Sequence, residues 1–304
     1  MNYEELLINI LSKDNNFIVL TAENRAAIRN LPNKIENQFI DTGITEQTMI
    51  GTSAGLALRG RIPITHALAT FLTMRAFEFI RTDVGIGNLP VKLVGAVPGF
   101  LSEANGPTHQ AVEDISIMRG IPNMKVFAPS DEDDMIKSLP KIFYDNSPCY
   151  IRYNNVKPMI EHEPFEIGKA EHFDDGNEIG ILTYGFMFNE AYKAKDILQL
   201  RGYSVRLINL RSLKPIDEKS ILDLVESCTL TVTIEDHFLT GGLFTILAEI
   251  LLKNKITTNV LPIALNDKWF KPALLNDVLQ YEGFSADQLA EEISEKYHSL
   301  TVTE

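Results

Sequence analysis

The sequence predicts an α/β protein with two consecutive domains, each built on a parallel or mostly parallel sheet with helices on both faces. Short runs of β-branched and aromatic residues alternate with helical patterns along the whole chain, which is typical of parallel sheets. The length of 304 residues suits roughly two domains. Residues 154–171 interrupt the alternation with Lys-Pro and Glu-Pro steps and several charges, so we expect the boundary there.

The predicted strands are apolar runs separated by candidate helices of ten or more residues. In the first domain, residues 1–157, they are Phe17–Leu20, Ile62–Thr65, Val91–Ala96, Lys125–Ala128 and Cys149–Arg152. In the second domain, residues 158–304, they are Ile179–Thr183, Val205–Ile208, Leu230–Ile234 and Val260–Ile263. Acidic residues at Asp131 and Asp217 are well placed to cap the helices that follow them.

Composition argues against several classes of protein. The net charge of −13 disfavours non-specific binding to nucleic acid or to an anionic membrane. No apolar run reaches the roughly 18 residues that a membrane helix needs, and the acidic start is unlike a signal peptide. Cys149 and Cys228 lie in apolar surroundings, which favours buried thiols. We therefore expect a cytoplasmic protein.

The first candidate functional residue is Glu46, in the segment Gly43-Ile44-Thr45-Glu46-Gln47. It follows a strand-like Phe39-Ile40, so it would lie at the carboxyl end of a strand, where open sheets bind ligands. The helix that it begins, to about Arg59, contains two glycines, Gly51 and Gly55. Each costs about 1 kcal/mol relative to alanine, which suggests that another backbone approaches there. Stabilisation of an acid by the helix dipole also explains Glu46.

The second candidate is His109, in Gly106-Pro107-Thr108-His109-Gln110. A Gly-Pro turn has a preset backbone and can direct the next side chain into a cleft. A histidine near a helix start is also often a polar packing residue, and the spacing leaves both interpretations open.

A third pattern is the recurrence of apolar residues at helical spacing. It predicts either one face of a core helix or an apolar wall beside a ligand. Two arginines lie among or just after these residues, Arg75 and Arg81. We expect both in salt bridges at the surface or at an interface. The apolar residues are Leu68, Phe71, Met74 and Phe77.

Two of these segments resemble the pyrimidine-binding domain of transketolases. They are the block from Gly43 to Arg59 and the run from His109 to Met124; residues from about Phe165 onward resemble the C-terminal domain of that family. The resemblance implies an enzyme that uses thiamine diphosphate. In such an enzyme the cofactor stabilises the carbanion, and the protein binds and orients it.

The resemblance also assigns roles to residues. Glu46 would hydrogen-bond the aminopyrimidine ring of the cofactor and control its proton, and His109 would contact an oxygen of the donor sugar. Leu68, Phe71 and Met74 would pack against the ring. Arg152 matches a phosphate-binding arginine, and a guanidinium suits a phosphate or carboxylate.

Two departures from the family pattern lie near His109. Asn105 stands where transketolases usually have an Asp that contacts a donor hydroxyl, and Val97 stands about where they have a His that helps to hold a sugar phosphate. An amide can hydrogen-bond but has no charge. We therefore expect an altered pocket for a non-standard sugar phosphate or a nucleotide-linked sugar.

The sequence contains no Gly-Asp-Gly, the motif that binds the diphosphate and the divalent cation in thiamine enzymes. We therefore expect no metal site here and a separate partner chain that binds the diphosphate and Mg²⁺, in an α₂β₂ heterotetramer. The predicted function is that of the C-terminal subunit of a split transketolase, which transfers a two-carbon ketol unit from a ketose to an aldose. The alternatives are the β subunit of a 2-oxo acid dehydrogenase, a relative of deoxyxylulose phosphate synthase, and a noncatalytic binding partner.

Overall fold

The computed structural model describes residues 1–23, 25 and 27–301, and the chain divides into two compact units. The first comprises Met1–Pro98 and Ile117–Ile167, and the second comprises Gly99–Ser116 together with residues 168–301. The domain boundary at residues 157 and 158 stays a prediction. No helix in these residues is long and apolar enough to cross a membrane.

The first unit contains a sheet of parallel strands. They are β1 (Phe17–Thr21), β2 (Phe39–Asp41), β3 (Ile62–Leu68), β4 (Lys92–Ala96), β5 (Lys125–Phe127) and β6 (Cys149–Arg152). Their order is β5-β6-β4-β3-β1-β2, and each pairs with its neighbour in parallel. Strands β1, β4 and β6 are buried throughout, as expected for a parallel sheet covered by other elements.

The helices of the first unit begin at local sequence signals. Asn2 and Glu5 form a capping box, which satisfies two backbone N–H groups at the start of the first helix. Asp131 accepts a hydrogen bond from the backbone of Asp134, as its position before a helix predicted. The helices are α1 (Tyr3–Lys13), α2 (Glu46–Leu58), α3 (Phe77–Phe79), α4 (Asp114–Arg119), where the chain returns to this unit, and α5 (Glu132–Phe143).

The second unit contains a sheet of order β12-β11-β8-β9-β7. The strands of this sheet are β7 (Glu171–Phe173), β8 (Ile179–Thr183), β9 (Val205–Asn209), β11 (Leu230–Phe238) and β12 (Asn259–Leu265). The short strand β10 (Ser212–Lys214) lies between β9 and β11 in the chain and is not in this sheet. Only the β7–β9 pair in this order is antiparallel. The helices are α6 (Met187–Leu200), α7 (Glu218–Ser227), α8 (Leu243–Asn254), α9 (Leu275–Glu282) and α10 (Ala286–Thr301). The predicted fold class, two α/β sheet domains in succession, is confirmed.

The buried carboxyl group of Glu235 caps the start of α8. The backbone N–H groups of Leu243 and Phe244 donate to Glu235, at 2.6 and 2.9 Å. A Cβ on Gly242 would come within 2.0 Å of a Glu235 oxygen, so the packing requires glycine there. Complete burial raises the pKa of Glu235 to about 7, although the two backbone hydrogen bonds act to lower it.

This buried carboxyl should make stability depend on pH. Because the pKa of Glu235 is raised from 4.5 to about 7 in the fold, its contribution is fully present below about pH 4.5 and is lost as pH rises through about 7. The loss is on the order of 3 kcal/mol. Glu235→Gln removes the ionisation, so the fall in unfolding free energy between pH 5 and pH 8 should shrink in urea titrations.

Glu226→Gln, on the exposed side of α7, is the matched control and should leave that fall in unfolding free energy unchanged. Equal falls in both variants would contradict the prediction.

Candidate active site

A short polar turn positions Glu46. After β2 ends at Asp41, the N–H of Gly43 donates to the Asp41 carboxylate at 2.9 Å, and Gly43 has a φ of 69°, a conformation that glycine adopts readily. The hydroxyl of Thr45 donates to the carbonyl of Thr42 at 2.8 Å. Helix α2 then begins at Glu46, as the sequence predicted. The carboxyl group therefore lies at the carboxyl end of the sheet and is only 2% exposed.

Glu46 forms an ion pair with Arg75. Nη1 of Arg75 donates to Oε2 of Glu46 at 2.9 Å, and the two side chains are 39% and 3% exposed respectively. The guanidinium carbon of Arg75 also lies 4.1 Å from the centre of the Phe71 ring, within the range of a cation–π interaction. These three side chains form one cluster, which we call the Glu46 cluster.

The apolar residues near this cluster do not form one face of a helix, and that interpretation of their spacing was wrong. Leu68 is the last residue of β3, whereas Phe71 begins a π-helical segment, Phe71–Arg75. The buried apolar side chains between Phe71 and Ile80 are instead Leu72, Ala76 and Ile80. The four residues singled out from the sequence are half-buried and keep part of their surface accessible: Leu68, Phe71, Met74 and Phe77.

Arg152, like Glu46, lies at the carboxyl end of the parallel sheet. It is the last residue of β6, and the register pairs it with Gly95, which pairs in turn with Ala67 beside Leu68. Arg152 is only 2% exposed, so its side chain lies inside the protein. A guanidinium held inside the protein is costly unless it is compensated, and a phosphate or carboxylate is a suitable counter-ion.

His109 and Asn105 lie together in the segment Gly99–Ser116 of the second unit. Gly106 has a φ of 86° and precedes a single 3-10 turn, Pro107–His109, so the predicted Gly-Pro turn is present. Nδ1 of the half-buried His109 lies 2.9 Å from Oγ1 of Thr108, a contact that restrains the imidazole ring. Asn105 is exposed, and its amide donates to the carbonyl of Ser102 at 2.8 Å.

The glycines of α2 face open space. A Cβ on Gly51 or on Gly55 would meet no atom within 4 Å, so no described part of the chain makes the close approach that the sequence suggested. At the end of the same helix, Leu58 is 73% exposed. This face of α2 is therefore accessible to another chain.

Glu46 and the apolar side chains near it suit a flat heteroaromatic ring such as an aminopyrimidine. A flat heteroaromatic ring needs apolar surface beside it and a hydrogen-bonding group at its ring nitrogen. Phe71 and Leu68 offer the surface, and the carboxyl group of Glu46 offers the hydrogen bond. In the part of the chain that the structure describes, no group of three or more His, Cys, Asp or Glu side chains could hold a metal ion.

Comparison with known proteins identifies the family. The family model "transketolase, pyrimidine binding domain" matches residues 1–157, and "transketolase, C-terminal domain" matches residues 168–289. The chain belongs to the transketolase family. Two sheet domains in this order are what the sequence predicted for a member of it.

Several curated relatives resemble this transketolase-family chain along most of its length. The 6-deoxy-6-sulfo-D-fructose transketolase subunit SqwH of Clostridium sp. (strain MSTE9) is 35% identical over 83% of this chain and 80% of the relative. The putative transketolase C-terminal section of Methanocaldococcus jannaschii is 34% identical over 97% of the chain and 94% of the relative. A 1-deoxy-D-xylulose-5-phosphate synthase of Synechococcus sp. (strain JA-2-3B'a(2-13)) is 34% identical over 96% of the chain, which spans 46% of that relative.

Two solved structures of transketolases are similar to this chain. A structure described as a split gene transketolase, inactive β₄ tetramer, superposes with a TM-score of 0.87 at 28% identity and covers 97% of both chains. The transketolase of Campylobacter jejuni has a TM-score of 0.77 at 16% identity and is matched over 46% of its chain; this second likeness concerns the fold alone.

Sequence reasoning missed Arg75 as a member of the site, since it was expected only in a salt bridge at the surface or at an interface. The salt bridge is present, but it joins Arg75 to Glu46, 29 residues earlier in the chain. One signal was available: Phe71 and Arg75 are four residues apart, a spacing that makes side chains neighbours on a helix.

Proposed function

We propose that this chain supplies the pyrimidine-binding half of a two-chain, thiamine-diphosphate-dependent transketolase. The enzyme transfers a two-carbon ketol unit from a ketose donor to an aldose acceptor. The observation that supports this most directly is Glu46, a buried carboxyl group at the start of α2 that lies beside the half-buried Phe71. Relatives named as a transketolase subunit and as a transketolase C-terminal section, matched over 80% and 94% of their length, add support.

Glu46 has the central chemical role in this proposal. Its carboxyl group hydrogen-bonds the ring nitrogen of the aminopyrimidine and holds or releases a proton at that atom. Leu68, Phe71 and Met74 pack against the ring and exclude water, which strengthens the hydrogen bond. Thiamine diphosphate, when bound, supplies the carbanion chemistry.

His109 acts on the donor sugar. Its imidazole contacts the hydroxyl or carbonyl oxygen of the donor and stabilises charge or moves a proton there as the carbon–carbon bond breaks. The contact between its Nδ1 and Thr108 holds the ring in one orientation, which is how second groups commonly position a catalytic histidine.

A separate chain binds the diphosphate and Mg²⁺. Mg²⁺ prefers oxygen ligands together with substrate phosphates, and we propose that the partner provides them through a Gly-Asp-Gly motif, in an α₂β₂ assembly. The open glycine face of α2 and the exposed Leu58 offer a contact surface for another chain. We place the assembly in the cytoplasm.

The donor or the acceptor differs from the sugar phosphates of central metabolism. Asn105 offers an amide where an acid is usual, so the donor hydroxyl meets no charge there. The buried Arg152 suits an anionic group on the sugar. A relative that is 35% identical is named for a sulfonated sugar, which is consistent with a non-standard substrate.

The test is a two-substrate assay on the complex of this chain with its partner. With thiamine diphosphate and Mg²⁺ present, we expect two-carbon transfer from a ketose. The kcat/KM for the preferred non-standard pair should exceed that for xylulose 5-phosphate and ribose 5-phosphate by about tenfold or more. Comparable kcat/KM values for the two pairs would contradict the altered pocket, and no transfer from any ketose would contradict the function.

A decarboxylating synthase is the second candidate, because a 1-deoxy-D-xylulose-5-phosphate synthase is 34% identical over 96% of the chain. That reaction, like that of 2-oxo acid dehydrogenases, starts with loss of CO₂. Release of labelled CO₂ from pyruvate by the complex would therefore favour this class over ketol transfer. A complex that binds the cofactor but turns over neither ketose nor pyruvate would favour a noncatalytic role.

A further inference from the structure

Arg75 makes both interactions that the site would offer to an aminopyrimidine ring. Its Nη1 donates a hydrogen bond to Glu46 Oε2 at 2.9 Å. Its guanidinium carbon lies 4.1 Å from the centre of the Phe71 ring. A guanidinium is flat and has N–H donors in its plane, and these are also the features of a protonated aminopyrimidine.

We propose that Arg75 is a placeholder: it occupies the pyrimidine site while the cofactor is absent and must swing away when thiamine diphosphate binds. This inference rests on the proposed function, because it assumes that Glu46 and Phe71 receive the aminopyrimidine. It goes beyond that function by assigning Arg75 a control over cofactor loading.

Burial explains why Glu46 needs a cation beside it. The Glu46 side chain is only 3% exposed, and an ionised carboxylate taken out of water without a partner is strongly disfavoured. Arg75 supplies the counter-charge from four residues beyond Phe71. The Glu46 carboxylate is thereby kept stable and correctly oriented until the ligand arrives.

Exposure explains how Arg75 can leave. Its side chain is 39% exposed, so its guanidinium can move into solvent on its flexible stem at little cost. The face of the Phe71 ring that Arg75 covers can hold one flat group at a time. A pyrimidine that stacks on that face and binds Glu46 therefore competes directly with Arg75.

Competition of this kind lowers the apparent affinity for the ligand by the fraction of sites that are open. Removing the guanidinium should consequently tighten binding of the cofactor. Tighter binding after the substitution distinguishes the placeholder from an ordinary ligand-binding arginine, whose loss weakens binding.

The experiment is calorimetric titration of thiamine diphosphate into the complex of this chain with its partner, at saturating Mg²⁺. Arg75→Met keeps the apolar stem and removes the donors, and we expect an apparent Kd about tenfold lower than in the unaltered complex. Arg75→Lys keeps a cation without the flat fork and should give an intermediate Kd. The matched control is Arg81→Met, an equal change of charge at an exposed position on the π-helical segment Ile80–Gly85, which should leave the Kd unchanged.

An unchanged or raised Kd in Arg75→Met would overturn the placeholder, and a raised Kd would indicate that Arg75 supports Glu46 in the loaded enzyme as well. If Arg75→Met does not assemble with the partner, Arg75→Lys decides: a Kd below that of the unaltered complex supports the placeholder, and an unchanged or raised Kd overturns it. No cofactor binding by the unaltered complex would overturn the proposed function and the placeholder together, so the two failures are distinguishable.

Discussion

Replacement of Glu46 by Ala is expected to abolish turnover while the fold is retained. In the proposed mechanism the carboxyl group at this position controls the proton on the cofactor ring, and loss of such a group lowers kcat by about 10³-fold. The fold should survive because Glu46→Ala leaves no unpaired charge in the interior: the remaining partner, Arg75, is 39% exposed and can move its guanidinium into solvent. The measurements are kcat of the reconstituted enzyme and thermal unfolding of the variant.

Glu78→Ala is the matched control for this prediction. Glu78 is exposed on α3, a few residues beyond the Glu46 cluster, and its loss should leave kcat within about twofold, as for a surface group that touches no reacting atom. A Glu46→Ala enzyme with kcat close to that of the unaltered complex would remove Glu46 from the mechanism.

Replacement of His109 by Ala is expected to reduce kcat/KM for ketol transfer by about 10²-fold, the low end of the range for acid–base groups. In the proposed mechanism the imidazole contacts the donor oxygen where charge changes during cleavage, so its loss should affect the transition state more than the binding of the cofactor. The thiamine diphosphate Kd of the variant should therefore stay the same.

The control for His109 is His298→Ala, since His298 is an exposed histidine on α10 whose ring lies 3.1 Å from the hydroxyl of Tyr203. Its removal should leave kcat/KM unchanged. If His109→Ala and His298→Ala behave alike, the assignment of His109 to the donor site fails. Thr108→Val should give a smaller loss than His109→Ala, because it removes only the contact at Nδ1.

Much of the fold was predictable because parallel strands are buried on both faces and read as continuous apolar runs. Strands β1 and β8 are runs of this kind. The short strands β7 and β10, three residues each, were missed because a polar triplet such as Glu171-His172-Phe173 has no distinctive pattern. Their pairing depends on tertiary contacts rather than on local propensity.

The start of α2 at Glu46 was predictable from local signals, whereas the surroundings of Glu46 were not. The spacing of Leu68, Phe71 and Met74 suggested one helix, but the chain leaves a strand at Leu68 and then turns in π-helical segments. A period of 3.6 residues does not apply to such turns, which are frequent at functional sites. The pairing of Arg75 with Glu46 is a long-range contact that local periodicity cannot encode.

The central claim is that this chain forms half of a thiamine enzyme whose other half is a separate polypeptide. The most direct measurement is a tagged pull-down of the chain from its native extract, with mass spectrometry of the proteins that co-purify. We predict a stoichiometric partner that carries a Gly-Asp-Gly motif. Recovery of the chain without such a partner, from an extract in which a candidate partner is expressed, would contradict the claim.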